Sequence, residues 1–168
     1  MLAYIFQTSL SEYSNHQYKA MKNAYAGHLK YSFQLRPHTV ADQAYIGAYQ
    51  GIGVGYFNFG NPEELGNPLA VYLFQGGRIA QFSPRISLNY EWNFGASFGW
   101  KPYDEYDNPE NQIIGSKVNA YLNVNLYLKW ALSPKFDLMI GTTGSHFSNG
   151  NTQYPNSGLN TVDCKVGL

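Results

Sequence analysis

Charged side chains are scarce in this sequence. Asp, Glu, Lys and Arg make up 13% of the 168 residues, against about 25% in an ordinary soluble domain. The 11 basic and 11 acidic residues cancel, so the chain lacks the positive field with which proteins attract nucleic acid. We therefore expect no nucleic acid among its partners.

Cysteine and long apolar runs are equally rare. The single cysteine, Cys164, excludes an internal disulfide and a zinc site built from several cysteines. No stretch approaches the roughly 20 apolar residues of a spanning helix, so any passage through a membrane has to use strands. Residues 1–6 are too short for the apolar segment of a signal peptide, and we expect the chain to be a mature form or a fragment.

What the chain does have is alternation of apolar and polar residues. In the clearest run, residues 118–132, Val, Ala, Leu and Trp alternate with Asn, Tyr and Lys. This run is longer than most globular strands and sufficient for the roughly 9 to 11 residues of a tilted membrane strand. No helical period of useful length is present.

The number of strands depends on Asn93. The alternation predicts strands at 27–36, 44–58, 69–75, 82–100, 118–132, 135–147 and 158–168, with a break at Gly76-Gly77. A hairpin turn near Asn93 gives eight strands, whereas one long strand there gives seven and requires an eighth from the N-terminal arm. Either way we predict an all-β, eight-stranded antiparallel outer-membrane β-barrel, with residues 1–25 as an N-terminal arm and 26–168 as a single β-barrel domain.

A soluble up-and-down barrel of the lipocalin kind is the rival architecture, with the apolar face turned inward. Two features favour the membrane barrel. The polar face carries long hydrogen-bonding side chains, as a lumen does, and the apolar face ends in Trp92, Trp100 and Trp130, as a lipid boundary does.

The candidate chemistry lies at residues 144–150, Gly-Ser-His-Phe-Ser-Asn-Gly. In a strand His146 and Ser148 share one face and Phe147 takes the other, and an imidazole beside a hydroxyl is the minimum equipment of a base-activated oxygen nucleophile. A hairpin centred on Gln153 sets His146 opposite Asn160, so three polar side chains meet on the outer wall near one rim. The alternative is that the three residues are ordinary polar residues at the barrel rim, because placing a polar side chain near a barrel interface costs only about 0 to 1 kcal/mol.

Motifs along residues 45–168 match the pattern of a known family. They are Phe-Asn-Phe-Gly-Asn-Pro-Glu-Glu-Leu-Gly at 57–66, Lys-Pro-Tyr-Asp at 101–104, Ile-Gly-Ser at 114–116, and above all His-Phe-Ser-Asn-Gly at 146–150 with Pro-Asn-Ser-Gly-Leu-Asn at 155–160. They resemble the PagL-type lipid A 3-O-deacylases and their acyloxyacyl-hydrolase-like relatives. The resemblance implies an eight-stranded outer-membrane barrel that hydrolyses the ester-linked 3-hydroxyacyl chain at position 3 of lipid A. It also implies a lipid-facing site in the outer leaflet that needs no metal or other cofactor.

The resemblance also implies the roles of the site residues. Ser148 is the expected nucleophile, His146 the general base and then acid, and Asn149 with the Gly150 backbone N–H the expected oxyanion hole. At Asn160 the better-known members have Glu. An Asn oxygen accepts from the imidazole and holds its tautomer, but supplies no charge to stabilise the imidazolium.

We therefore expect a lipid A esterase of the bacterial outer membrane with lipopolysaccharide as its substrate. The alternative is a catalytically silent barrel with a structural or lipopolysaccharide-binding role. No metal site is expected, because His16, His28 and His38 lack ligand spacing and the acidic residues of 102–116 lack the order of a calcium loop.

Overall fold

The computed structural model describes residues 2–6, 23–34 and 47–168. These ranges contain β-strands and no helix. The strands are β1 (Leu2–Phe6), β2 (Tyr25–Gln34), β3 (Tyr49–Asn58), β4 (Gly66–Ser83), β5 (Ile86–Trp100), β6 (Val118–Ala131), β7 (Asp137–Ser148) and β8 (Leu159–Gly167). Each strand pairs antiparallel with the next, and β1 also pairs with β8. The predicted all-β antiparallel fold is confirmed.

The strand count follows the second of the two sequence alternatives. Asn93 lies inside β5 and pairs with Phe74 on β4 and Asn123 on β6, so it is not a turn. Seven strands lie between Tyr25 and Gly167, and β1 falls within the predicted N-terminal arm. Residues 7–22 of that arm lie outside the described residues, and the boundary at residue 25 stays a prediction. No helix in the described ranges is long and apolar enough to cross a membrane.

Strand β4 corrects the sequence prediction in two places. It runs through Gly76 and Gly77, where a break is predicted, because both glycines pair with β5. It ends at Ser83, so the run predicted at 82–92 contains a hairpin turn at residues 84–85. The Ser83 hydroxyl accepts the N–H groups of Arg85 and Ile86 at 3.3 and 3.1 Å. These bonds stabilise the turn, although the alternation of apolar and polar residues in the sequence continues through it.

Alternation gives the sheet an apolar outer face and a polar inner one. On β6, Val124 and Leu126 are 65% and 46% exposed, whereas Asn123 and Asn125 are buried. This is the reverse of a soluble lipocalin-like barrel, which turns its apolar face inward. The membrane-type polarity predicted from the sequence is the one observed.

Trp100 departs from the predicted outer face. It is 4% exposed on the inner side, and its indole N–H donates to the Ser97 hydroxyl at 2.9 Å. At the end of β5, Gly99 has a left-handed φ of 89°, and the three-residue step from Leu69 to Gly66 on β4 pairs with the two-residue step from Phe98 to Trp100 on β5. The extra residue of this bulge is on β4, so the non-extended backbone of Gly99 is what breaks the alternation of β5 and turns Trp100 inward. Trp92 and Trp130 remain on the outer face, 43% and 48% exposed.

An aromatic cluster fills the inner face at the end of the long loops 59–65, 101–117 and 149–158. Phe147 lies at its centre, with ring centroids 5.1 Å from those of Phe57, Trp100 and Tyr121. Phe59 stacks on Trp100 at 5.6 Å. The strands that carry the long loops are therefore held together by one buried cluster.

A polar network occupies the inner face farther from these loops. Glu91 forms an ion pair with Lys30 and accepts hydrogen bonds from the Tyr49 hydroxyl at 3.1 Å and the Asn125 amide at 3.3 Å. Lys165 donates to the Asn125 side-chain oxygen at 2.7 Å. Buried charges require such partners, because an unpaired ion away from water is very costly.

Two glycines three residues apart on β7 should respond oppositely to alanine. A Cβ on Gly141 would lie 2.2 Å from the Leu126 carbonyl oxygen, whereas one on Gly144 meets nothing nearer than the Thr161 carbonyl oxygen at 3.9 Å. We expect Gly141→Ala to lower the free energy of unfolding by at least about 2 kcal/mol and Gly144→Ala to raise it by about 0.5 to 1 kcal/mol, because alanine loses less backbone entropy in a strand. Urea unfolding followed by tryptophan fluorescence measures both values. Equal stabilities would contradict the packing of β7 against β6.

Candidate active site

Three polar side chains meet on the outer face of β7 and β8 near the long loops. The register sets His146 opposite Asn160, as predicted from a hairpin centred on Gln153. The His146 Nδ1 lies 2.7 Å from the Asn160 Oδ1, and its Nε2 lies 3.0 Å from the Ser148 Oγ. The predicted juxtaposition is confirmed, while the catalytic roles of the three residues stay predictions.

Asn160 determines which nitrogen of the His146 ring carries the proton. An amide oxygen only accepts, so Nδ1 donates to it and Nε2 of the neutral ring directs its lone pair at the Ser148 hydroxyl. A general base needs this arrangement to take the hydroxyl proton. Within the described residues no carboxylate contacts the ring, and Asp163, three residues beyond Asn160, is 3% exposed on the inner face.

Phe147 fixes the direction of both site residues on β7. Its side chain is fully buried in the aromatic cluster. Because successive side chains of a strand point to opposite faces, an inward Phe147 requires His146 and Ser148 to point outward. Both are partly exposed, so they are accessible from the outer face.

The turn after Ser148 holds the groups predicted to form the oxyanion hole. The Asn149 backbone N–H donates to the Asn156 Oδ1 at 3.1 Å, and its side-chain Nδ2 donates to the Gln153 carbonyl at 2.7 Å. Gly150 is exposed at a left-handed φ of 64° with open space around it. The backbone N–H of Asn149 is thus committed to the turn, which leaves the second amide hydrogen of its side chain and the Gly150 N–H as candidate donors.

Gly158 contacts the site, and the sequence did not predict it. It has a φ of 72°, and a Cβ there would lie 3.1 Å from the His146 Cε1 and 3.3 Å from the Phe147 carbonyl oxygen. Its N–H donates to the Ile113 carbonyl at 3.2 Å. Ser-Gly before a strand is an ordinary turn signal, whereas the contact with His146 depends on the pairing of β7 with β8.

Asn111 ties the loop that supports the site to the loop between β3 and β4. Its buried side chain accepts the N–H groups of residues 113–114 at 3.0 Å and donates to the carbonyls of Glu64 and Lys101 at 3.1 and 2.8 Å. Both of its donors and its acceptor are therefore engaged. Through Ile113 and Gly158, the loop between β5 and β6 supports the His146 ring.

The Asp104 carboxylate holds the β5–β6 loop together. The N–H groups of Asp107 and Tyr106 donate to the Asp104 carboxylate at 3.0 and 2.9 Å and lower the pKa of that carboxyl. The described part of the chain contains no group of three His, Cys, Asp or Glu that could hold a metal ion. Two of the histidines considered in the sequence, His16 and His38, lie outside it.

An imidazole held between an oxygen acceptor and a hydroxyl is the arrangement of the serine hydrolase triad, in which a carboxylate usually stands where this chain has the Asn160 amide. A family model described as "Lipid A 3-O-deacylase (PagL)" matches residues 72–168, which include the whole of this site. The chain therefore belongs to the PagL family, and membership implies a lipid A deacylase, a hydrolase. Comparisons with curated proteins and with solved structures found no match.

Gly158 allows a matched test of how the ring of His146 is positioned. Gly158→Ala places a methyl against the ring, so we expect kcat for ester hydrolysis to fall at least about tenfold, as misplaced catalytic groups do. Gly47 has a similar φ of 70° but its Cβ position has no neighbour closer than 3.6 Å. Gly47→Ala should therefore carry the same backbone cost, about 1 kcal/mol, with kcat unchanged. Thermal unfolding and initial rates measure the two effects, and equal losses of kcat would refute the contact.

Proposed function

We propose that this chain is a lipid A 3-O-deacylase that works in the outer membrane as a closed eight-stranded barrel. In this proposal Ser148 is the nucleophile, His146 the general base and then acid, and Asn160 the residue that orients the ring. The observation that carries it is the His146 ring, with Nε2 3.0 Å from the Ser148 hydroxyl and Nδ1 2.7 Å from the Asn160 oxygen.

The outer face supports a membrane location. Every outward residue of β6 from Val118 to Trp130 is apolar, and this run is about 40 Å long at roughly 3.4 Å per residue. A strand tilt of about 40° reduces it to about 30 Å, the thickness of the hydrocarbon core. Monomeric soluble proteins rarely expose apolar patches larger than a few hundred Å².

The pairing of β1 with both β2 and β8 supports closure of the barrel. With the His146 end in the outer leaflet, the loops at 59–65, 101–117 and 149–158 are extracellular. The turn at Ser133-Pro134 and the end of β8 then face the periplasm. Asn108 and Asn111 on the 101–117 loop donate hydrogen bonds to the Glu64 carbonyl on the 59–65 loop, which suits loops that share one side.

The site lies near one edge of the apolar belt. Ser148 pairs with Ala120, two residues from the Val118 end of β6. In a lipid the ester bonds lie between the polar headgroup and the acyl chains, at this same depth. A membrane-embedded lipid can therefore bring an ester carbonyl to the Ser148 hydroxyl without leaving the bilayer.

The reaction proceeds in two balanced steps. The Ser148 Oγ bonds to the acyl carbonyl carbon while its proton passes to the His146 Nε2, and the ester C–O bond then breaks as that proton moves to the sugar oxygen. Water attacks the acyl-enzyme next, giving its proton to Nε2. The Oγ–carbon bond breaks, Oγ regains the proton, and a 3-hydroxy fatty acid leaves. The Asn149 side-chain amide and the Gly150 N–H are the proposed donors to the oxyanion of each intermediate.

Refolded protein and lipopolysaccharide test the proposal directly. We expect mass spectrometry to show loss of one hydroxyacyl chain from lipid A, and Ser148→Ala to slow this loss at least about a thousandfold. Tyr106→Phe, an exposed change in the β5–β6 loop, is the control for handling and folding. No loss with the unaltered chain would instead support a silent barrel that binds lipopolysaccharide or serves structure. Equal loss with the unaltered chain and Ser148→Ala would remove the claim that Ser148 catalyses the reaction.

Asn160 supplies a second prediction. Because an amide leaves the imidazolium without a compensating charge, Asn160→Glu should raise kcat at least about tenfold, whereas Asn160→Leu should lower it by losing the tautomer control. Initial rates on the same lipid measure both. A rate for Asn160→Glu at or below that of the unaltered chain would show that charge at this position does not limit the reaction.

A further inference from the structure

Gly144 is a strand glycine that packing does not explain. In seven other glycines of the described strands, a Cβ would come within 3.0 Å of a neighbouring atom: Gly51, Gly53, Gly55, Gly66, Gly76, Gly95 and Gly141. At Gly144 the nearest atom would be 3.9 Å away. Glycine weakens a strand by its conformational entropy, so its use where a side chain fits is a cost without a packing benefit. A glycine inside a strand often marks a bulge, a bend, or the close approach of another backbone or of a ligand. Gly144 pairs in regular register on both sides and no backbone atom crowds it, which leaves a ligand.

Gly144 lies two residues from His146 on the same outer face of β7. Its partners are Val124 on β6 and Val162 on β8, both exposed and larger. The next outward residue is Thr142. The outer face of β7 is therefore recessed between the larger apolar side chains of β6 and β8, which form a ridge on each side. We call the strip formed by Gly144 and Thr142 between those ridges the β7 groove.

The β7 groove is apolar and begins at the site. The Thr142 hydroxyl donates to the Asp163 carbonyl at 3.1 Å, so its hydrogen-bonding need is met within the sheet. No charged side chain stands beside Gly144 or Thr142, whose strand partners are Val124, Val162, Leu126 and Cys164. This lining suits a hydrocarbon chain.

The distance from the Ser148 site to the far end of the β7 groove matches the thickness of one leaflet of a bilayer. From Ser148 to Thr142 the strand rises about 20 Å, which a tilt of about 40° reduces to about 15 Å along the membrane normal. Half of a hydrocarbon core is also about 15 Å. Ile140, 52% exposed, is the next outward residue and closes the groove at about the middle of the membrane.

We propose that the β7 groove holds the acyl chain whose ester is being cleaved, and that the absence of a side chain at Gly144 sets the chain length the site accepts. This inference rests on the proposed function, because the ester carbonyl at Ser148 places the first carbons of the chain over His146 and Gly144. A side chain at Gly144 blocks the groove near its start, and a larger one at Thr142 blocks it farther down.

A series of nitrophenyl esters of 3-hydroxy acids, with stepwise longer chains, tests whether the groove sets the chain length that the site accepts. We expect Gly144→Leu to lower kcat/KM for long chains at least tenfold relative to the shortest, and Thr142→Leu to do so only for the longest. Ala80→Leu is the matched control, because Ala80 pairs with Leu88 on a different part of the outer face. The same chain-length profile for Gly144→Leu and Ala80→Leu would overturn the inference while leaving the esterase intact.

Cys164 provides a readout that does not need catalysis. It is exposed, the sole cysteine of the chain, and pairs with Thr142 at the lower part of the groove. In the Ser148→Ala protein with a bimane fluorophore on Cys164, lipid A carrying a nitroxide near the end of its 3-linked acyl chain should quench saturably. Unlabelled lipopolysaccharide should reverse the quenching, and Gly144→Leu should abolish it.

The two readouts separate the possible failures. Absence of ester hydrolysis by the unaltered chain would remove the proposed function, while the quenching experiment would still decide the groove. Equal quenching by a nitroxide-labelled phospholipid would identify ordinary membrane lipid as the occupant and overturn the inference.

Discussion

The burial of Phe147 is the constraint on which the site depends. Its ring lies at the centre of the inner aromatic cluster, against Phe57, Trp100 and Tyr121. A slip of β7 by one residue would bring this ring to the outer face and turn the imidazole inward. Truncating a buried phenylalanine costs about 3 to 5 kcal/mol, so the cluster holds the strand in the one register that presents His146 and Ser148 together.

The contact between His146 and Asn160 could be predicted from the sequence because it needs only two local rules. Side chains alternate along a strand, and a hairpin pairs residues equally distant from its centre. The same rules failed at Trp100, because Gly99 before it has a left-handed backbone conformation that interrupts the alternation of side chains along β5. They also missed the turn at residues 84–85, since an apolar alternation continues across it.

The surroundings of the site could not be read in this way. Gly158 meets His146 across the pairing of β7 with β8, and Asn111 reaches the carbonyl of Glu64 on another loop. The sequence does not tell whether an Asn side chain is buried with every hydrogen-bonding group engaged or exposed to water. The difference depends on where the backbone carbonyls around it lie, and these positions depend on the assembled fold.

The filling of the inner face determines from which side the site is reached. Stacked rings lie near the long loops and a paired ionic network lies farther along among the described inner residues. His146 and Ser148 point away from both, to the outer face, where they are partly exposed. Under the proposed function, substrate and fatty acid therefore arrive and depart sideways through the lipid, so lateral diffusion, rather than permeation, governs traffic to the site.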